Sequence, residues 1–261
     1  GWSNIDFETY NSTGKIKPHK LFGSTSVRKA LTYAINRKEI LDEYLLGYGQ
    51  PGIGPVSPIF KDAVDPDLKS YDYDLGIAKS LLESDGWKDS DKNGILDKGK
   101  VEFKLKLYIP SGNPRRNYAA TVIKNNLKQV GIDVTIETIE LGVLLDKMLE
   151  KNMDAWMIGW YVTIPLDLKF LWYSDIEKTP YNFVSYQNKE ADKILDEISN
   201  ETNQEKLNEL YKKFQKIIYE DQPVTFLYWV DNIVAYNSRI KNININPLGA
   251  IHHCWEWTVK E

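Results

Sequence analysis

Residues 101–109 read Val101-Glu102-Phe103-Lys104-Leu105-Lys106-Leu107-Tyr108-Ile109, and this alternation of apolar and polar side chains decides the fold. A period of two puts the apolar set on one side of a pleated ribbon, which is the signature of a half-buried strand. Pro114 and Arg115 then open a helix carrying Tyr118, Val122, Leu127 and Val130, and Gly131 closes it. Ile132, Val134 and Ile136 alternate again, 143–149 reads as helix, and 155–160 reads as a short apolar strand. The order is β-α-β-α-β. Short connections of this kind favour right-handed crossovers and parallel pairs, hence an α/β class in which ligands gather at the carboxyl ends of strands. The turn at 159–163 lies at such an end.

That turn belongs to the most aromatic stretch of the chain, residues 154–174. Trp156, Trp160, Tyr161, Trp172 and Tyr173 fall there, with Gly159 at the strand end and Asp167 just after the break at Pro165. Aromatic rings with polar handles suit the wall of a recognition cleft, and the same rings also suit a core.

Working outward, Ser26 is placed to cap a helix through Val27, Ala30, Leu31, Ala34, Ile35, Leu41, Tyr44 and Leu45, with Gly47 to stop it. Residues 47–58 contain a G-x-G-x-x-G, but the pattern follows a helix and runs into prolines, so it reads as a rigid loop and not a dinucleotide site. Asp74 opens a further helix with Leu75, Ala78, Leu81 and Leu82 on one side. Residues 1–25 read as irregular or extended. Amphipathic helices are expected over 188–199 and 203–221, and extended segments over 224–230, 233–236 and 240–245.

With 261 residues, 42% of them hydrophobic, the chain can bury a sizeable core. No apolar run approaches the ~20 residues of a membrane span, and the first residues lack the parts of a signal peptide. A net charge of −4 with interspersed signs offers no basic face for nucleic acid. A lone cysteine, Cys254, excludes an internal disulfide.

Candidate chemistry is sparse. Asp89, Asp91, Asn93 and Asp97 stand at the first, third, fifth and ninth positions of a calcium loop with Gly94 sixth, but the twelfth is Lys100. A structural calcium and a turn of side-chain caps are the two readings. His252, His253 and Cys254 adjoin, yet neighbours on a strand point to opposite faces, and only His19 remains as another imidazole. The nucleophile-elbow, phosphate-loop and zinc-helix patterns are absent. Asn11-Ser-Thr13 and Asn200-Glu-Thr202 fit the glycosylation pattern, which has meaning only in a eukaryotic secretory setting.

The segments 27–37 (VRKALTYAINR), 51–55 (PGIGP), Gly86-Trp87 with Asp89, Asp91, Asn93 and Gly94, Gly159-Trp160, Phe170-Leu171-Trp172, 182–188 (NFVSYQN), Ala191-Asp192-Lys193 and 220–223 (EDQP) occur in an order that spans nearly the whole chain. Together they resemble the solute-binding proteins of peptide and nickel ABC importers, family 5, oligopeptide-binding type. The resemblance implies a periplasmic-binding-protein type II-like lobe, a mixed sheet flanked by helices, and a carboxy-terminal part of a two-lobed trap. Residues 1–25 would be a hinge-proximal segment, 26–230 the ligand-binding lobe, and 231–261 a returning segment whose apolar surface packs on an amino-terminal lobe.

It also implies binding without catalysis, an oligopeptide as ligand, and an ABC permease as partner. No cofactor is required, and the location is the periplasm or the outer face of a Gram-positive cell, where such proteins are lipid-anchored. Ligand contacts carried over are Trp156, Gly159, Trp160, Tyr161, Thr163, Asp167 and Trp172. Many peptide-binding members place an aspartate a few residues after Gly-Trp to receive the ligand's amino terminus. Here Thr163 occupies that position, and Asp167 matches a second aspartate of the pattern. The departure leaves longer peptides or a non-peptide solute open. An oligosaccharide or a nickel chelate is the alternative within the family, and a peptidase or glycosidase on an α/β scaffold the alternative outside it.

Overall fold

The computed structural model describes residues 1–260. They divide into two units, Gly1–Trp229 and a shorter one from Val230 onward. In chain order the first unit contains α1 (Phe7–Thr13), α2 (Thr25–Ala34), α3 (Arg37–Glu43), β1 (Gly49–Pro51) and α4 (Leu75–Ser84). Then come β2 (Asp97–Lys98), β3 (Val101–Glu102), β4 (Lys104–Pro110), α5 (Pro114–Lys128), β5 (Asp133–Ile139), α6 (Leu141–Leu149) and β6 (Ala155–Trp156). Then follow α7 (Lys169–Trp172), α8 (Lys189–Asn200) and α9 (Gln204–Asp221), and β7 (Tyr228–Val230), which pairs with β1, begins at the last residues of this unit.

The central sheet has the order β5-β4-β6, and both pairings are parallel, with Lys104 opposite Asp133 and Leu107 opposite Ala155. Trp2 adds an antiparallel bridge to Ala155, which makes the sheet mixed. The alternation read from the sequence holds. Leu105, Leu107 and Ile109 join α2, α4 and α5 in one core with Trp2, Phe22, Trp87 and Phe103. Trp156 faces the opposite way, into a second core with Leu144 and Met148 of α6 and with Phe214 and Ile218 of α9. The crossover helices α5 and α6 thus cover opposite faces, so strand order reverses at β4, the kind of switch point at whose carboxyl strand ends ligands gather in open α/β sheets.

Three local expectations are corrected. The helix expected from Ser26 to Gly47 is two helices capped at Ser24 and Asn36. Ile35 is extended, the Asn36 side chain accepts from Glu39 N–H at 3.1 Å, and its own N–H donates to Asn126 Oδ1 at 2.8 Å. An asparagine that offers the backbone a side-chain acceptor ends one helix and starts the next. Residues 1–25, read as irregular, contain α1, capped by Asp6 and ended by Gly14 at φ 67°. The strand expected over 155–160 ends at Trp156, and only Met157 N–H continues the ladder, to Tyr108 O at 2.9 Å. Its partner β4 runs into Pro110, which has no N–H.

Buried arginines join the two cores. Arg28 on α2 donates to Phe22 O (2.8 Å) and Gly23 O (3.0 Å) on one side, and to Asp221 O (2.9 Å) and Gln222 O (3.1 Å) on the other. The last two carbonyls end the 18-residue α9, where the helix dipole is negative. Burial holds this guanidinium down to about 10, so it stays charged at neutral pH. Arg37 likewise ties Gly52 O (2.7 Å) of the Pro-Gly-Ile-Gly-Pro loop to Phe226 O (3.0 Å) and to Tyr71 O. Asn182, fully buried, donates to Tyr173 O (3.0 Å) and Tyr186 O (2.9 Å). The Tyr186 hydroxyl donates to Asp221, which Asn188 also contacts at 2.8 Å.

In the second unit, β8 (Ile240–Lys241) pairs antiparallel with β9 (Thr258–Val259), and a single 3-10 turn covers Cys254–Glu256. None of its described residues is fully buried, and Ile233, Tyr236, Ile245, Leu248, Ile251, Trp255 and Val259 are exposed. Residues 233–236, expected to be a strand, form none. His253 Nδ1 lies 3.1 Å from Glu256, and Cys254 is exposed. Among the described residues of either unit, no helix is long and apolar enough to cross a membrane.

Arg28→Ala strands four buried or half-buried carbonyls and is expected to lower unfolding free energy by ~3–5 kcal/mol, and Arg28→Lys by ~2 kcal/mol, since an ammonium cannot span both pairs. Urea titration followed by near-ultraviolet circular dichroism measures both.

Candidate functional site

Beyond Met157 the chain leaves the sheet without finding another partner. Among the described residues, no backbone N–H or C=O of residues 158–162 is hydrogen-bonded to backbone or side chain. These residues lie at the carboxyl end of the parallel sheet, with Gly159, Trp160 and Tyr161 exposed. An unpaired, largely exposed backbone run is a template for another backbone.

Aromatic rings flank this run on one side. Trp160, 41% exposed, has ring centroids of Phe170 at 5.5 Å, Phe183 at 6.0 Å and Tyr181 at 6.1 Å. Phe170 comes from α7, while Tyr181 and Phe183 come from the loop that the buried Asn182 pins down. The angles are tilted or edge-to-face, the geometry that the ring quadrupole favours, and Trp160 and Tyr181 keep apolar surface open to solvent. Tyr161 is 95% exposed and touches none of this wall.

Arg115 and Arg116 begin the first turn of α5, capped by Asn113. A Cβ at Gly159 would lie 3.2 Å from Nη2 of Arg116, so glycine here makes room for the guanidinium. Neither arginine forms an ion pair with a described residue. Burial pushes the Tyr228 phenol up, while the nearby Arg115 and Arg116 pull it back. Two cations at a helix amino terminus oppose the macrodipole, so helix stability is not what they serve. The sequence reading did not single them out; Arg-Arg directly after a helix-opening proline is the signal that could have.

Asp167 accepts from Lys169 N–H at 3.0 Å, and its own N–H donates to Thr163 Oγ1 at 3.1 Å. One carboxylate oxygen therefore holds the start of α7. The other makes no bond within the described chain. Leu166 O accepts from the Tyr211 hydroxyl at 2.7 Å, which fixes this turn on α9.

Trp156 and Trp172, considered as cleft wall, are buried in the second core. Trp156 faces the helices because it alternates with Ala155 and Met157. Trp172 sits on the inner side of α7, 6.0 Å from Phe226 and 6.3 Å from Tyr186. The site thus unites Gly159 and Trp160 with Arg116, Phe170, Tyr181 and Phe183, and sets Thr163 and Asp167 at the following turn.

The 89–97 loop is elsewhere, between α4 and β3. Asp89 Oδ2 accepts from Gly94 N–H (3.0 Å), Asp91 Oδ1 from Asn93 N–H (3.1 Å), Asn93 Oδ1 from Ile95 N–H (2.8 Å), and Asp97 Oδ2 from Ser90 N–H (2.9 Å). Among the described residues, no three His, Cys, Asp or Glu side chains are grouped to hold a metal ion.

The family model for bacterial extracellular solute-binding proteins, family 5 Middle, matches residues 2–179. The chain belongs to this family. It is 31% identical over 252 residues to the oligopeptide-binding protein AppA of Bacillus subtilis, covering 95% of this chain and 46% of AppA. The solved structure of AppA in complex with a nonapeptide superposes with a TM-score of 0.83 at 30% identity, over 93% of this chain and 49% of that one. NikZ from Campylobacter jejuni in complex with Ni(L-His) gives 0.78 at 26% identity, over 92% and 50%. This family 5 chain spans about half the length of the curated relatives it matches.

Beneath the aromatic wall of this solute-binding fold, burial pulls the Lys151 ammonium down to about 8. Above that pH the folded chain has released a proton that the unfolded chain holds to ~10.4, so stability rises with pH. Lys151 is expected to contribute a slope of at most ~1 kcal/mol per pH unit between about pH 8 and 9.5, before tyrosines titrate, and Lys151→Met should remove that contribution. Urea midpoints across that window measure the difference.

Proposed function

We propose that this chain is one lobe of an extracytoplasmic trap that captures oligopeptides and delivers them to an ABC permease. The unpaired backbone of residues 158–162 carries the reading. A peptide laid along it gains main-chain hydrogen bonds that are indifferent to sequence, and the flanking rings give side chains somewhere to pack. Arg115 and Arg116 supply positive charge for a carboxylate of the ligand, the terminal one or a side chain, and the free oxygen of Asp167 can take an amine. The chain acts by binding, not turnover. A second lobe closes over the peptide, and the ligand favours the closed state by its differential affinity for it. One lobe alone binds weakly. AppA is described with a nonapeptide, which suits a site where Thr163 stands in place of an acid.

The test uses the full-length protein purified without unfolding. Mass spectrometry of small molecules released on denaturation is expected to find peptides; a sugar or a nickel chelate in their place contradicts the reading. By calorimetry, Trp160→Ala should weaken peptide binding about tenfold or more. Arg116→Gln should weaken binding of a free-acid peptide about tenfold while changing its amidated counterpart little, if the terminal carboxylate is the partner.

A further inference from the structure

Lys151 follows α6 in the left-handed region, at φ 53°, where glycine sits freely and a lysine is strained. Its side chain is also buried without a carboxylate partner. The ammonium donates to Pro180 O at 3.0 Å and Asn182 O at 2.8 Å, and lies 5.7 Å from the centroid of the Phe183 ring. These two carbonyls bracket Tyr181. Tyr181 and Phe183 stand 5.8 Å apart, edge to face, and both rings meet Trp160. A strained backbone and a desolvated cation are two unfavourable features at one residue, and together they hold one short loop in place.

We propose that Lys151 is a positioning residue: its ammonium fixes the Tyr181–Phe183 half of the aromatic wall against Trp160 and thereby sets how strongly the site takes a bulky apolar side chain. This rests on the reading that the strand end binds peptide. Asn182 holds the same loop from the opposite side through Tyr173 O and Tyr186 O, so the loop persists without Lys151 but loses its register against Trp160. The side-chain preference of the site then depends on a residue outside the wall.

The test compares wild type with Lys151→Gly in the full-length protein. Glycine relieves the backbone at φ 53° and removes the ammonium together with its four-carbon stem, so the variant is expected to fold, and Lys151→Met, which keeps most of the stem, separates loss of the ammonium from loss of packing. Calorimetry uses nonapeptides carrying one phenylalanine at successive positions of a glycine-alanine background, with the background peptide as reference. The best phenylalanine peptide should lose about fivefold or more in affinity, and the background peptide less than about twofold. Equal losses for both, or no loss for either, overturn the proposal. Fluorine NMR of fluorotryptophan-labelled protein, with Trp160 assigned through Trp160→Phe, supplies a readout free of ligand. The Trp160 resonance should move in Lys151→Gly while that of Trp87 stays. If wild type binds no peptide the trap reading fails, and an unmoved Trp160 resonance then overturns the positioning role as well.

Discussion

The guanidinium of Arg28 ties together elements of two cores. One core forms on the α5 side of the sheet and another on the α6 side; Arg28, on α2 of the first, donates to Phe22 O within that core and to the carbonyls that end α9, a helix of the second. A cation buried without a carboxylate is costly, but here the guanidinium satisfies four backbone carbonyls, two of which end a long helix, and donates to the Thr25 hydroxyl as well. Because α9 is fixed this way, Tyr211 can hold Leu166, and the turn carrying Thr163 and Asp167 is set at the end of the sheet. Arg37, Asn182 and the Tyr186–Asp221 contact extend the same device. Motif residues that look like surface chemistry in the sequence are latches between loops.

The binding edge follows from where the sheet stops. β4 ends in proline, so β6 loses its partner after Met157 and the next five residues carry unpaired backbone. Such an edge invites indiscriminate pairing. Its setting narrows the choice: a tryptophan wall on one flank, and two arginines at the start of α5, where Gly159 admits one of them closely. Under the proposed reading, specificity is divided between a backbone that accepts any peptide and side chains that grade what it carries.

Periodicity made the sheet legible. Residues 101–109 alternate cleanly, helical spacing in α8 and α9 is unambiguous, and Asn188 and Asn203 announce their caps. What was not legible depended on competition between equal signals. Asn36 inside an apolar helical pattern could be a polar interruption or a cap, and the second outcome needed Asn126 from α5 to accept its N–H. Trp156, Trp160 and Trp172 are alike in composition, yet two are core and one is wall, because alternation and helix facing assign them after the strand end is known. Arg116, Tyr181, Phe183 and Lys151 lie far apart in sequence and meet only through the crossover topology and the Asn182 latch.

Hydrogen exchange of residues 158–162 in the full-length protein, with and without a bound nonapeptide, reaches the central claim most directly. These amides are expected to exchange fast in the free protein and to become protected, in an alternating pattern, when peptide adds to the strand end. Tight peptide binding that leaves them exchanging at the free rate would contradict the account.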